Sequence, residues 1–163
     1  MNPLLRDESR PRTASVRNSR REARESALQV LYAFEFSGEK PDVLIEDICD
    51  LFSEQAMKFI RDLVNHAVTH REKVDELIRS KTENWDFNRI AVIDRLLLRV
   101  GICEFMFFED IPPKVSINEV IEIGKRYSTD NSSRFINGIL DSVLEDLKRD
   151  GGLHKVGRGI IGD

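Results

Sequence analysis

The chain reads as all-α, a single-domain helical bundle of about six to seven helices. Apolar residues recur at helical spacing through most of it, and no segment has the strict apolar and polar alternation of a strand. At 163 residues it has the size of one domain, long enough to bury a substantial core without disulfides or metal.

Residues 1–13 hold two prolines and little apolar periodicity, and are expected to form a disordered basic arm. The folded domain is expected over 14–149, with a flexible glycine-rich tail over 150–163. Helix one should begin near residues 15–18 and run to about Phe36, where Ser37, Gly38 and Pro41 end it. A short second helix is expected over 42–51. Ser53 can cap a third, longer helix whose apolar stripe carries Met57, Ile60, Leu63, Val64, Ala67, Val74 and Leu77. The run NWDFN at 84–88 reads as a turn that inserts Trp85 and Phe87 into the core. The following helix, 89–108, is apolar nearly all round and belongs in the middle of a bundle. Pro112 and Pro113 stop it. Ser116 with Glu119 has the form of a capping box, in which the serine accepts from an orphan amide and the glutamate returns a bond to the serine's own amide. A helix is therefore expected to start there, with Ile117, Val120, Ile121 and Gly124 at helical spacing. The polar stretch 128–133 turns the chain, and Ile136, Ile139, Leu140 and Val143 resume the spacing in a last helix.

The formal net charge of -4 argues against unselective coating of nucleic acid. The charge is uneven, however: the first 24 residues carry seven arginines against Asp7, Glu8 and Glu22. An acidic body with a basic end suits one anionic partner docked at one place. Cys49 and Cys103 have no paired spacing and read as reduced thiols lining the core of a cytoplasmic protein. No apolar run reaches the roughly 18 residues of a membrane span, and the N-terminus lacks a secretory apolar core.

No catalytic or metal motif is complete. His66 and His70 stand at i and i+4, but HAVTH lacks the glutamate of HExxH and suggests no third ligand. Gly157, Gly159 and Gly162 have dinucleotide-loop spacing without the preceding strand or following helix that the chemistry requires. Ser128, Ser132 and Ser133 lie in no nucleophile motif. A binding protein without cofactor is expected.

Arg17, Arg20, Arg21 and Arg24 fall at i, i+3, i+4 and i+7, one narrow face at about 100° per residue. The same face continues to Leu28 and Leu31, which must be buried, so the arginines are expected to overhang the bundle. Their planar forks suit phosphate oxygens and stay charged. A solvated basic face pairing with Glu22 and Glu25 accounts for the charge equally well.

The runs RREARESALQVLYAFEFS at 20–37 and VSINEVIEIGKRYSTDNSSRFINGIL at 115–140 resemble, in this order and separation, the NusB family of bacterial transcription antitermination factors. The likeness covers roughly residues 17–148. It implies binding of a short single-stranded RNA, the boxA element, with Arg20, Arg21 and Arg24 in the matching arginine-rich run. Tyr127 and Phe135 match family positions at the RNA-binding edge, where they would serve as stacking platforms. On residue type alone they read as boundary core residues. Between them, Asn131 and Ser132 sit at a helix N-terminus, whose amides and dipole suit a phosphate.

The resemblance also implies a protein partner, the small-subunit ribosomal protein that doubles as NusE, and a role in loading an RNA polymerase elongation complex with other Nus factors. Tyr32 and Asp94 are the residues carried over for the protein partner. Asp94 interrupts an apolar helix, and an internal ion pair with Arg95, Arg99 or a neighbouring helix is its alternative role. Two other functions stay open: an RNA-binding accessory module for ribosomal RNA methylation or processing, and a helical adaptor that binds only protein.

Overall fold

The computed structural model describes residues 16–160, and the arm expected over 1–13 lies outside them. Among the described residues there are seven α-helices: α1 (Arg20–Ser37), α2 (Pro41–Ile48), α3 (Glu54–Thr69), α4 (Arg71–Ser80), α5 (Val92–Phe107), α6 (Pro113–Tyr127) and α7 (Asp130–Arg149). Two 3-10 turns, Phe87–Arg89 and Gly157–Ile160, complete the order. The bundle is all-α; extended pairing among these residues is confined to one isolated parallel bridge between Arg17 and Phe52.

Helix α5 is the centre, touching α1, α3, α4, α6 and α7. Its consecutive residues Leu96, Leu97 and Leu98 are all buried, as are Val100, Ile102, Cys103 and Phe105. A helix apolar on every side can bury its surface only by being surrounded, which is the expected placement. Gly101 permits a close approach of α7: a Cβ there would stand 3.0 Å from a δ-carbon of Leu140. Both cysteines are free and buried, and burial pushes the Cys103 thiol up to about 12. No helix among the described residues is long and apolar enough to cross a membrane.

Local chemistry sets the helix ends. Ser19 caps α1 by accepting from the Glu22 amide, and Gly38 closes it in the left-handed conformation at φ 66°. Ser53 caps α3, accepting from the Ala56 amide at 3.1 Å.

Four expectations about the elements need correction. The first helix begins at Arg20, and Arg17 lies in the segment that bridges to Phe52. The long third helix is two helices, broken at His70 without proline or glycine. The break lets Val74 and Ile78 bury on α4 while α3 keeps its own stripe. Helix α6 starts at Pro113, whose ring presets φ and whose missing N–H would have been an orphan in any case. Ser116 therefore lies inside the helix, and the capping box does not form. Trp85 stays outside the core, exposed, whereas Phe87 is buried with the Arg79 and Arg95 guanidiniums 4.3 and 5.5 Å from its ring centroid.

The tail, expected to be flexible, folds back as far as the described residues reach. Lys155 Nζ donates to the carbonyls of Glu104 at 2.9 Å and Phe108 at 2.6 Å, satisfying acceptors at the end of α5. The Val156 amide donates to the Glu109 carbonyl, and Gly159 packs so closely on that oxygen that a Cβ would lie 1.9 Å from it.

Candidate nucleic-acid interface

The four arginines do not form one comb. Arg17 is held in extended backbone, donating to the Leu51 carbonyl and accepting from the Ser53 amide. Its guanidinium covers the Phe52 ring at 4.3 Å and its Nε donates to Glu22 at 3.2 Å. Arg20 is exposed and reaches Asp110 at 3.4 Å. Arg21 forms a two-pronged pair with Glu119 on α6 at 2.8 and 2.9 Å. Those hydrogen bonds hold the Glu119 carboxyl below its ordinary range, more than its partial burial raises it.

Arg24 departs from the expected overhang. It is only 3% exposed and donates through Nε and one Nη to Glu104, itself fully buried, at 2.8 and 2.7 Å. Ser116 Oγ gives Glu104 a third hydrogen bond at 2.9 Å. Arg24 thus fastens α1 to α5 and α6, and its fork has no orientation left for a phosphate. Glu104 escaped the sequence reading because one acid in an apolar helix gave no sign of which cation it would meet.

Arg17, Arg20 and Arg21 keep an exposed side and hold their carboxylates only near solvent. Exchange of such a partner for a phosphate is inexpensive, since exposed ion pairs are worth about 0–1 kcal/mol.

The α6–α7 turn is clamped from below by Asp94, in the first turn of α5 and 6% exposed. Its two carboxylate oxygens accept from Ser128 Oγ at 2.8 Å and Ser132 Oγ at 2.9 Å. The anticipated ion pair with Arg95 or Arg99 is absent; Arg99 is occupied by Asp75 and Glu35. Two hydroxyls suffice because each carboxylate oxygen gains a donor, which offsets desolvation without a cation.

The clamp divides the predicted RNA residues between two depressions. Tyr127 lies with Tyr32, Leu28, Gln29 and Ile93 around a hollow of about 330 Å³ beside α1. Tyr32 is 44% exposed there and its ring stands 4.8 Å from that of Phe36, also exposed. Phe135, Asn131 and Ser132 instead line a second hollow of similar size together with Asp94, Trp85 and Arg89. The sequence reading misses Trp85 because it places NWDFN in the core, and Arg89 because it places that residue in the first turn of the following helix. Exposure of a tryptophan is a tertiary outcome that its sequence neighbours do not announce.

The sequence model of the NusB family matches residues 21–145. The chain belongs to the NusB family. Over 146 residues it is 47% identical to the transcription antitermination protein NusB of Chloroherpeton thalassium, an alignment covering 88% of this chain and 69% of that protein. The solved structure of NusB from T. maritima superposes with a TM-score of 0.75 at 36% identity, covering 78% of this chain and 92% of that one. A crystal structure of antitermination factors NusB and NusE in complex with double-stranded RNA superposes at 0.71 and 26% identity, covering 78% and 96%. The matched span of the NusB family runs from Arg21 into the last helix, ending at residue 145, and so includes every predicted site residue except Arg17 and Arg20.

Proposed function

We propose that this protein is a non-enzymatic transcription antitermination factor of the cytoplasm. It binds the boxA element of nascent ribosomal RNA together with the small-subunit ribosomal protein NusE and, with other Nus factors, equips the RNA polymerase elongation complex for processive transcription. The family membership over residues 21–145 carries this reading, and the solved NusB and NusE complex with RNA supports both classes of partner.

The residues divide by what each can reach. Arg17, Arg20 and Arg21 supply exchangeable guanidiniums for phosphate, and Asn131, Ser132 and Phe135 supply the second contact on the α7 edge. Tyr32 and Tyr127, sharing the hollow beside α1, present exposed aromatic surface to the protein partner, with Asp94 holding the turn that shapes it. Arg24 is assigned to the core.

The decisive experiment is binding of the protein to a boxA-type RNA, with and without NusE, against a scrambled RNA of equal length. Preference for boxA, strengthened by NusE, is expected. Equal binding of both RNAs would remove the reading.

A further inference from the structure

The hollow between the 85–91 segment and α7 has features that a phosphate-binding arginine face does not explain. Trp85 is the only tryptophan of the chain and is 67% exposed. Its ring centroid lies 6.1 Å from that of Phe135, with the planes inclined by 58°. Rings at this distance and tilt make an ordinary aromatic contact, so a third ring enters between them only when one of the two swings aside. Phe135 is half-buried and packs on the core from a long helix, whereas Trp85 sits in a turn and can rotate about its side-chain bonds. One ring is fixed and the other can swing out to admit a third ring and then close on it.

The surroundings specify the occupant. Ile90 and Ala91 line the hollow along with the two rings, and its volume of about 330 Å³ admits a heterocycle. Arg89 edges it and Arg134 precedes Phe135. Both arginines are exposed, and the guanidinium of neither has an ion-pair, hydrogen-bond or ring partner among the described residues, unlike those of Arg17, Arg20, Arg21 and Arg24. An apolar peptide would leave these cations unused, and a bare polyanion would leave the aromatic walls unused. A nucleotide of single-stranded RNA uses both, because an unpaired base presents a stacking face and its neighbours carry phosphate.

We propose that this cleft holds one unstacked base of the bound RNA, with Trp85 closing over it opposite Phe135 and Arg89 taking an adjoining phosphate. The inference rests on the RNA-binding reading above and adds to it two residues and a definite contact. A duplex cannot satisfy it, since a paired base has no free face to offer the two rings.

The single tryptophan makes the test direct. Labelled single-stranded boxA RNA is titrated into the protein while anisotropy reports binding and Trp85 fluorescence reports stacking. Binding should quench Trp85 with the same midpoint as the anisotropy change, and polyphosphate, which has no bases, should not quench it. Trp85→Leu should weaken the RNA by about five-fold or more, and Trp85→Phe should restore most of the loss. Arg89→Gln should lower the slope of log affinity against log salt by about 0.7. Normal RNA binding with unchanged Trp85 fluorescence, or with full affinity in Trp85→Leu, would overturn this proposal alone. Absence of RNA binding by anisotropy would overturn the antitermination reading and this proposal with it.

Discussion

Replacing Arg24 by alanine tests whether the N-terminal arginines are one functional unit. The substitution leaves Glu104, fully buried, with the Ser116 hydroxyl as its one remaining side-chain donor of the three it now has. Removing one partner of a buried, hydrogen-bonded ion pair costs about 3–5 kcal/mol, because the other charge is left desolvated. Domains of this size hold only about 5–15 kcal/mol in total, and their melting temperature moves roughly 2–4 °C per kcal/mol. Arg24→Ala should therefore melt about 6–20 °C lower while still folding in the cold. RNA affinity of the folded protein should stay within about three-fold of the parent. The double variant Arg24→Met with Glu104→Leu should recover most of the loss, since an apolar pair of similar volume removes the charge along with its partner. Thermal melts and RNA titrations on the same samples provide the measurement. Parental stability with lost RNA affinity would mean that the guanidinium faces phosphate, and the assignment of Arg24 to the core would be refuted.

Three further outcomes follow from the same geometry. Arg20→Ala combined with Arg21→Ala should change stability by no more than about 0.5–1 kcal/mol, because both pairs are exposed, yet lower the salt slope of RNA binding by up to about 1.4; an unchanged slope would show that this face is only solvated. Tyr32→Ala should impair NusE binding more than RNA binding, whereas Asp94→Ala should first loosen the α6–α7 turn at a cost of about 1–3 kcal/mol; calorimetry with each ligand beside thermal melts separates the two, and an Asp94→Ala protein of parental stability would refute the clamp. Partial burial raises the Glu35 carboxyl, but hydrogen bonding and charge from Arg99, with the charge of Arg71, outweigh it and hold the group below its ordinary range. A carboxyl depressed in the folded state contributes stability that is present above its unfolded value near 4.3 and is lost as pH falls through the folded value. Glu35→Gln should therefore be less stable than the parent at pH 7 and lose less on acidification below about pH 4, as denaturant melts across pH would reveal; equal acid sensitivity in both proteins would refute the linkage.

The helical elements were legible because burial of an apolar stripe is written in periodicity. The all-round apolar residues of α5 announced a surrounded helix, and Gly38 and Ser53 announced their ends through local backbone chemistry. The break at His70 left no such trace, since it serves packing against α5 rather than any preference of its own residues. Ser116 and Glu119 had the spacing of a capping box, but Pro113 opened the helix a turn earlier, and both side chains went to partners on other helices. Family likeness brought Phe135, Asn131, Ser132 and the arginine run to attention, and could not say which of those side chains would remain outside.

The sequence by itself determined the class of fold, the central helix, and a basic edge beside a polar turn, all properties that depend on residues a few positions apart. Only tertiary structure decided that Arg24 is a buried strut and Arg21 a surface one, that Asp94 is satisfied by two serines, and that Tyr127 and Phe135 open onto different hollows. Each of those outcomes depends on partners 12 to 98 residues away, or on exposure, which is a property of the packed surface. A charge in the chain chooses its role by the dielectric and the donors that folding brings to it, and those are not encoded at its own position.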